Sequence, residues 1–158
     1  GCEVTYLSPE KDGGLDVDRL RAALRNDTIL VSIMLVNNET GAVLPVREAA
    51  QAIKQAGSPA LLHADCVQAL MKVPFTAGEL SADLISISAH KIHGPKGVGA
   101  LYIKKGLRLS PVFYGGGQER GLRPGTEPVP LIAGFGAACR EGRERLDEDV
   151  GHIVKLKD

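Results

Sequence analysis

Ile29-Leu30-Val31-Ser32-Ile33-Met34-Leu35-Val36 is a continuous β-branched and apolar run, and the polar triplet Asn37-Asn38-Glu39 follows it at once. Such a run suits a strand buried on both faces of a parallel sheet. On either side of it, short apolar runs alternate with amphipathic segments. Upstream, Val4–Leu7 reads as a strand, and Asp16 caps a helix in which Val17, Leu20, Ala23 and Leu24 recur at spacings of three and four. Downstream, Pro45 opens a helix to about Gln55 and Gly57 ends it. Ala60–Ala64, Leu84–Ser88 and Gly99–Ile103 read as further strands. The last helix runs from Val129 to about Leu146, with Leu131, Phe135 and Ala138 on one face. This alternation predicts an α/β fold: a mostly parallel sheet with flanking helices.

In open sheets of this class, ligands bind beyond the carboxyl ends of the strands. Polar residues stand at those ends: Asn37-Asn38-Glu39 after the first run, Asp65 after Ala60-Leu61-Leu62-His63-Ala64, and Ser88-Ala89-His90-Lys91 after Leu84-Ile85-Ser86-Ile87. Composition narrows the choice of partner. The 158 residues fit one compact domain, and an apolar fraction of 44% is enough for a core. Nineteen basic and nineteen acidic residues give no formal net charge, which argues against nucleic acid as the main partner. No apolar run is long enough to span a bilayer, and the start shows no signal-peptide pattern. Cys2, Cys66 and Cys139 are odd in number and far apart, with no Cys-x-x-Cys pair. They suit a reducing, cytoplasmic setting. The chain begins inside a strand-like run without an initiator methionine and ends in the polar stretch 140–158, as expected of the middle of a longer protein.

Lys91 and Asp65 carry the chemical argument. Most lysines are surface groups. Lys91, however, lies in Ser88-Ala89-His90-Lys91-Ile92-His93-Gly94-Pro95-Lys96-Gly97, where Ser88 and His90 can donate to a phosphate and Gly94, Pro95 and Gly97 hold an unusual backbone path. A desolvated lysine amine there can condense with an aldehyde. Asp after a strand is commonly a helix cap, but a carboxylate facing a pyridine nitrogen keeps that nitrogen protonated. A lysine for a Schiff base and an acid for a pyridinium are the pair that pyridoxal phosphate requires. Gln68, three residues beyond Asp65, shares its face if a helical turn starts there. Gln68 and Asn38 are then donors for the phenolic oxygen of the ring. His63, Asp65, Cys66, His90 and His93 also suggest a metal, but their spacing matches no standard ligand pattern. Gly115-Gly116-Gly117-Gln118-Glu119-Arg120-Gly121-Leu122-Arg123-Pro124-Gly125-Thr126 reads as a surface loop or as an anion site at a subunit interface.

Four stretches together, Val36–Gly41, His63–Ala69, Ser86–Gly97 and Gly115–Thr126, resemble the class V, fold-type I pyridoxal-phosphate enzymes, and within them the cysteine desulfurases. The resemblance implies that Lys91 is the Schiff-base lysine and proton shuttle and that Asp65 pairs with the pyridinium nitrogen. It implies Gln68 and Asn38 at the phenolic oxygen, Ser88 and His90 at the phosphate, and Thr126 at the phosphate of the other subunit's cofactor in a homodimer. The implied reaction takes L-cysteine to L-alanine and leaves the sulfur as an enzyme persulfide for a scaffold protein that accepts it. Selenocysteine lyase and other class V enzymes are the neighbouring readings, and a non-catalytic α/β binding fragment is the reading from another class. By the same resemblance, residues 1–140 form the second half of the large cofactor domain, and 141–158 begin the connection to a small C-terminal domain. None of Cys2, Cys66 and Cys139 matches the family's nucleophile, so these residues alone are expected to be inactive.

Overall fold

The computed structural model describes residues 1–157. The chain forms two compact units, Gly1–Ile87 with Ala100–Ile103, and Ser88–Gly99 with the segment from Lys104 onward.

The first unit is built on a sheet of order β1-β2-β3-β4, with β1 Leu30–Met34, β2 Leu61–Asp65, β3 Leu84–Ser88 and β4 Gly99–Ile103. β1 pairs with β2 and β2 with β3, both in parallel, with Ser32 opposite His63 and Asp65 opposite Ser86. Helices α1 (Val17–Ala23), α2 (Val46–Gln55) and α3 (Ala77–Leu80) complete this unit. Asp16 caps α1 as expected, its Oδ1 accepting from the N–H groups of Asp18 and Arg19. Pro45 precedes α2, and Gly57 beyond its end has a positive φ of 61°. α2 buries Val46, Ala49 and Ile53 at spacings of three and four, a single apolar stripe. These residues join Leu20, Val31, Ile33, Leu62, Ala64, Cys66, Leu80 and Ile85 in one core.

Two expectations fail here. β1 is not buried on both faces: Val31 and Ile33 are buried while Leu30 is 48% and Met34 37% exposed. The core that receives the helices lies on one face only, so the strand alternates. Val4–Leu7 is not a strand, because no neighbouring strand supplies it with a ladder. Leu7 packs against the core, Tyr6 is 89% exposed, and Glu3 is tied by a 2.8 Å ion pair to Arg25. Asp27 binds Arg25 as well, which lowers the Asp27 carboxyl below the usual range.

In the second unit, residues 89–92 form a 3-10 turn and α4 (Val129–Lys157) packs on it. α4 runs beyond the expected Leu146, where Arg145 reaches Asp149 one turn on at 3.1 Å. The fit to the turn depends on missing side chains. A Cβ at Gly134 would fall 2.7 Å from Pro95 Cγ, and one at Gly94 would fall 2.9 Å from the Ala89 carbonyl oxygen and 3.3 Å from Ala138 Cβ. Gly136, by contrast, has nothing within 4 Å. Two substitutions in one helix therefore have opposite signs. Gly134→Ala is expected to destabilise by about 1–3 kcal/mol through overpacking. Gly136→Ala is expected to stabilise by about 0.5–1 kcal/mol through helix propensity. Urea unfolding midpoints check both, and equal effects would contradict the packing described.

Candidate active site

In the first unit, two loops leave the carboxyl ends of adjacent strands. Beyond β1, Leu35 N donates to Asp65 O at 2.8 Å and Val36 bridges Val43, so the chain turns back through 37–42. Asn37 organises this turn. Its Oδ1 accepts from the N–H groups of Glu39 and Thr40 at 2.8 and 2.9 Å, its own N–H reaches Ala42 O, and its carbonyl takes Gly41 N–H. The next residue, Asn38, is thereby presented exposed, with Nδ2 on Glu39 Oε1 at 3.0 Å. The sequence places Asn37 with Asn38 at the strand end but assigns a contact only to Asn38, although Asn followed by polar residues at a strand end signals such a side-chain turn.

Asp65 ends β2 and is half-buried. Its Oδ1 accepts from Val67 N–H at 2.9 Å, so it does cap the turn that follows, and no other side chain among the described residues bonds its carboxylate. That turn starts at Cys66, whose carbonyl takes the N–H groups of Ala69 and Leu70. Gln68 is on it, with Oε1 accepting from Lys72 Nζ at 2.9 Å. Cys66 itself is fully buried, and loss of solvent, with a smaller push from the Asp65 charge, takes its thiol up to about 12. It is a packing residue and no nucleophile.

In the second unit, Ser88 Oγ lies 2.8 Å from His90 Nδ1, making one hydroxyl–imidazole pair at the start of the 3-10 turn. Ala89 and Ile92 bury the inner side of that turn, and Lys91 projects outward. Lys91 is exposed, so the expectation of a desolvated amine is not met in this chain, and its Nζ has no bonded partner among the described residues. His93 closes the turn in a left-handed conformation, φ 63°. Glu119, Arg120 and Gly121 are also consecutively left-handed, with φ of 46°, 58° and 77°, and Gln118 Oε1 accepts from Gly125 N–H across this loop. Such backbone is costly for non-glycine residues. Thr126 follows, exposed. Cys139 on α4 is half-buried, and burial raises its thiol.

Taken separately, each unit offers groups of the kinds that pyridoxal phosphate binds. In the first unit, Asp65 offers a carboxylate oxygen without a side-chain partner among the described residues; in the second, Lys91 offers an amine without a bonded partner among them, and Ser88 with His90 a pair able to take a phosphate. Among the described residues no three His, Cys, Asp or Glu side chains gather as a metal would require, and no helix is long and apolar enough to cross a membrane.

Comparison with known proteins identifies the family. The family model described as aminotransferase class-V matches residues 1–147. The chain belongs to the class-V aminotransferase family. It is 47% identical over 99% of its length to the mitochondrial cysteine desulfurase of Candida albicans, and 50% identical over all of it to the cysteine desulfurase IscS of Anaeromyxobacter sp. strain Fw109-5. It covers 32% and 39% of those two proteins, so it spans about a third of the curated relatives it matches. Among solved structures, a NifS-like protein superposes with a TM-score of 0.95 at 43% identity, over 99% of this chain and 43% of that one. A structure titled SspA in complex with cysteine gives 0.83 at 39% identity, over 89% and 40%. The mostly parallel sheet with helices is thus the fold of this family.

The burial of Cys66 has a direct consequence in solution. At about pH 8 a thiol-specific reagent is expected to modify exposed Cys2 at once and to leave Cys66 untouched until the chain is unfolded, because the reactive species is the thiolate. Rapid native-state labelling of Cys66, mapped by mass spectrometry, would contradict its placement in the core.

Proposed function

We propose that the protein to which this chain belongs is a pyridoxal-phosphate-dependent cysteine desulfurase, converting L-cysteine to L-alanine and passing the sulfur on through an enzyme-bound persulfide. The observation that carries the reading is the likeness of the chain, over nearly its whole length, to proteins named cysteine desulfurase.

In this reading Lys91 Nζ anchors the cofactor and then moves protons at the substrate carbons. Asp65 pairs with the ring nitrogen and keeps it protonated. Asn38, set by the Asn37 turn, bonds the phenolic oxygen, and Gln68 joins it by exchanging its Lys72 contact. Ser88 and His90 hold the phosphate, and Thr126 reaches the phosphate of the partner subunit's cofactor in a homodimer. Bound pyridoxal phosphate supplies the electron sink that lets bonds at the substrate carbons break.

The sulfur step balances as a displacement. A cysteine thiolate attacks the substrate sulfur, the carbon–sulfur bond breaks, its electron pair stays with the carbon skeleton, and a proton added there gives alanine. In this reading that thiolate lies outside residues 1–158: none of Cys2, Cys66 and Cys139 matches the family's nucleophile, and the burial of Cys66 and the raised thiol of Cys139 support this. Residues 1–140 are then the second half of the cofactor domain, with 141–158 leading towards a small domain. A scaffold protein is the sulfur acceptor, and the setting is the cytoplasm.

The test uses the full-length protein with pyridoxal phosphate and L-cysteine. Alanine and transferable sulfur are expected in equal amounts. Asp65→Asn should keep the cofactor bound and lose more turnover than one charge-assisted hydrogen bond explains, roughly 10- to 100-fold for ~1.5–3 kcal/mol. No alanine from the unmodified protein would refute the activity. Undiminished turnover in Asp65→Asn would leave Asp65 as a cap and nothing more.

A further inference from the structure

Ser32, His63 and Ser86 belong to three neighbouring strands, β1, β2 and β3. Ser32 is the register partner of His63, and Ser86 is the register partner of Asp65. Register partners in parallel strands share a face, as do residues two apart in one strand. Ser32, His63, Asp65 and Ser86 therefore all lie on the face turned away from the core residues Val31, Ile33, Leu62, Ala64 and Ile85. There Ser32 Oγ lies 2.8 Å from His63 Nδ1, and His63 Nε2 lies 2.8 Å from Ser86 Oγ. One imidazole thus links three strands through their side chains.

The link closes chemically. A neutral imidazole donates from one ring nitrogen and accepts at the other, and a serine hydroxyl serves in either role. His63 therefore has both nitrogens engaged without any other partner. Its alternative partner is close by. His63 and Asp65 are two residues apart on one strand, ~6.6 Å along it, and an imidazole and a carboxylate can lean together across that gap. In the structure they do not. The Asp65 carboxylate takes Val67 N–H and no side chain among the described residues.

We propose that His63 is a positioning residue for Asp65: Ser32 and Ser86 hold its ring across three strands, and this keeps the imidazole off the Asp65 carboxylate, which stays open to a cationic ring nitrogen. The inference rests on reading Asp65 as the partner of a pyridinium. The serines act as competitors that occupy His63, and His63 in turn braces the strand that ends in Asp65.

The test separates the two readings. In the full-length protein without cofactor, the Asp65 carboxyl-carbon resonance is recorded by NMR at one neutral pH. Ser32→Ala with Ser86→Ala frees the ring, and the resonance is expected to move. Ser32→Thr with Ser86→Thr keeps both hydroxyls and is expected to leave it in place. A resonance that stays put in the alanine pair, or moves equally in the threonine pair, overturns the proposal. If the alanine pair does not fold, Ser86→Ala alone is read in the same way. A second arm titrates pyridoxal phosphate. Affinity is expected to fall roughly fivefold or more in the alanine pair and to change little when Asp65→Asn is already present, as coupled neighbours require. Equal losses in both backgrounds would make His63 a general brace and refute its role towards Asp65. If the unmodified full-length protein binds no pyridoxal phosphate, the cofactor reading fails on that result, while the NMR arm still decides the role of His63.

Discussion

The backbone of Asp65 is held from both sides. Its carbonyl accepts from Leu35 N–H at 2.8 Å, and the next N–H, of Cys66, donates to Ser86 O at 2.9 Å. These two bonds carry the parallel ladder one step past the pairings of β2 with its neighbours, to the place where the strand becomes a turn. A backbone pinned on two edges cannot rotate its side chain to the other face without breaking register, and one residue of slip would send Asp65 into the core. The buried alternation of Leu62, Ala64 and Cys66 enforces the same register from below. The position of the acid is thus a by-product of the ladder and the core together, and the Asn37 turn and the His63 bridge are both attached to it.

The second unit solves a different problem. The exposed Lys91 sits on a short 3-10 turn, and such turns are weak on their own. Here the turn is backed by α4, which approaches closely enough that Gly134 has no room for a side chain beside Pro95, while Gly94 is hemmed in by Ala89 of the turn and by Ala138 of α4. Ala89 and Ile92 anchor the inner side while His90 and Lys91 stay outside. The loop holding Gln118 and Thr126 keeps its shape through left-handed backbone at Glu119 and Arg120. Such conformations persist only where surrounding structure enforces them.

Much of this was legible in the sequence for reasons that can be named. α2 announced itself through Pro45 and Gly57, and α1 through Asp16 and apolar residues at spacings of three and four. β3 and β4 fell where the apolar runs lay. α3 was missed because four residues show no period, yet Thr76 followed by Glu79 is a capping signal, and Thr76 Oγ1 does accept from Glu79 N–H at 3.2 Å. Val4–Leu7 misled because strand propensity says nothing about whether a partner strand exists. β1 misled because a run of apolar residues hides which of them face the core. Of the candidate site, Asp65, Ser88, His90 and Lys91 stand out in the sequence by residue type, whereas Asn37 acts through backbone geometry and Ser32 and Ser86 through a partner distant in sequence. His63 was noticed for its metal-binding capacity and is instead a hydrogen-bonded link between strands.

The central claim is that Lys91 is the amine that carries pyridoxal phosphate. The most direct measurement is to incubate the protein with pyridoxal phosphate, reduce with borohydride, digest, and locate the fixed label by mass spectrometry. The account expects the label on the peptide containing Lys91 and its loss in Lys91→Ala. Label confined to another lysine, such as Lys96, with Lys91→Ala still labelled, would contradict it.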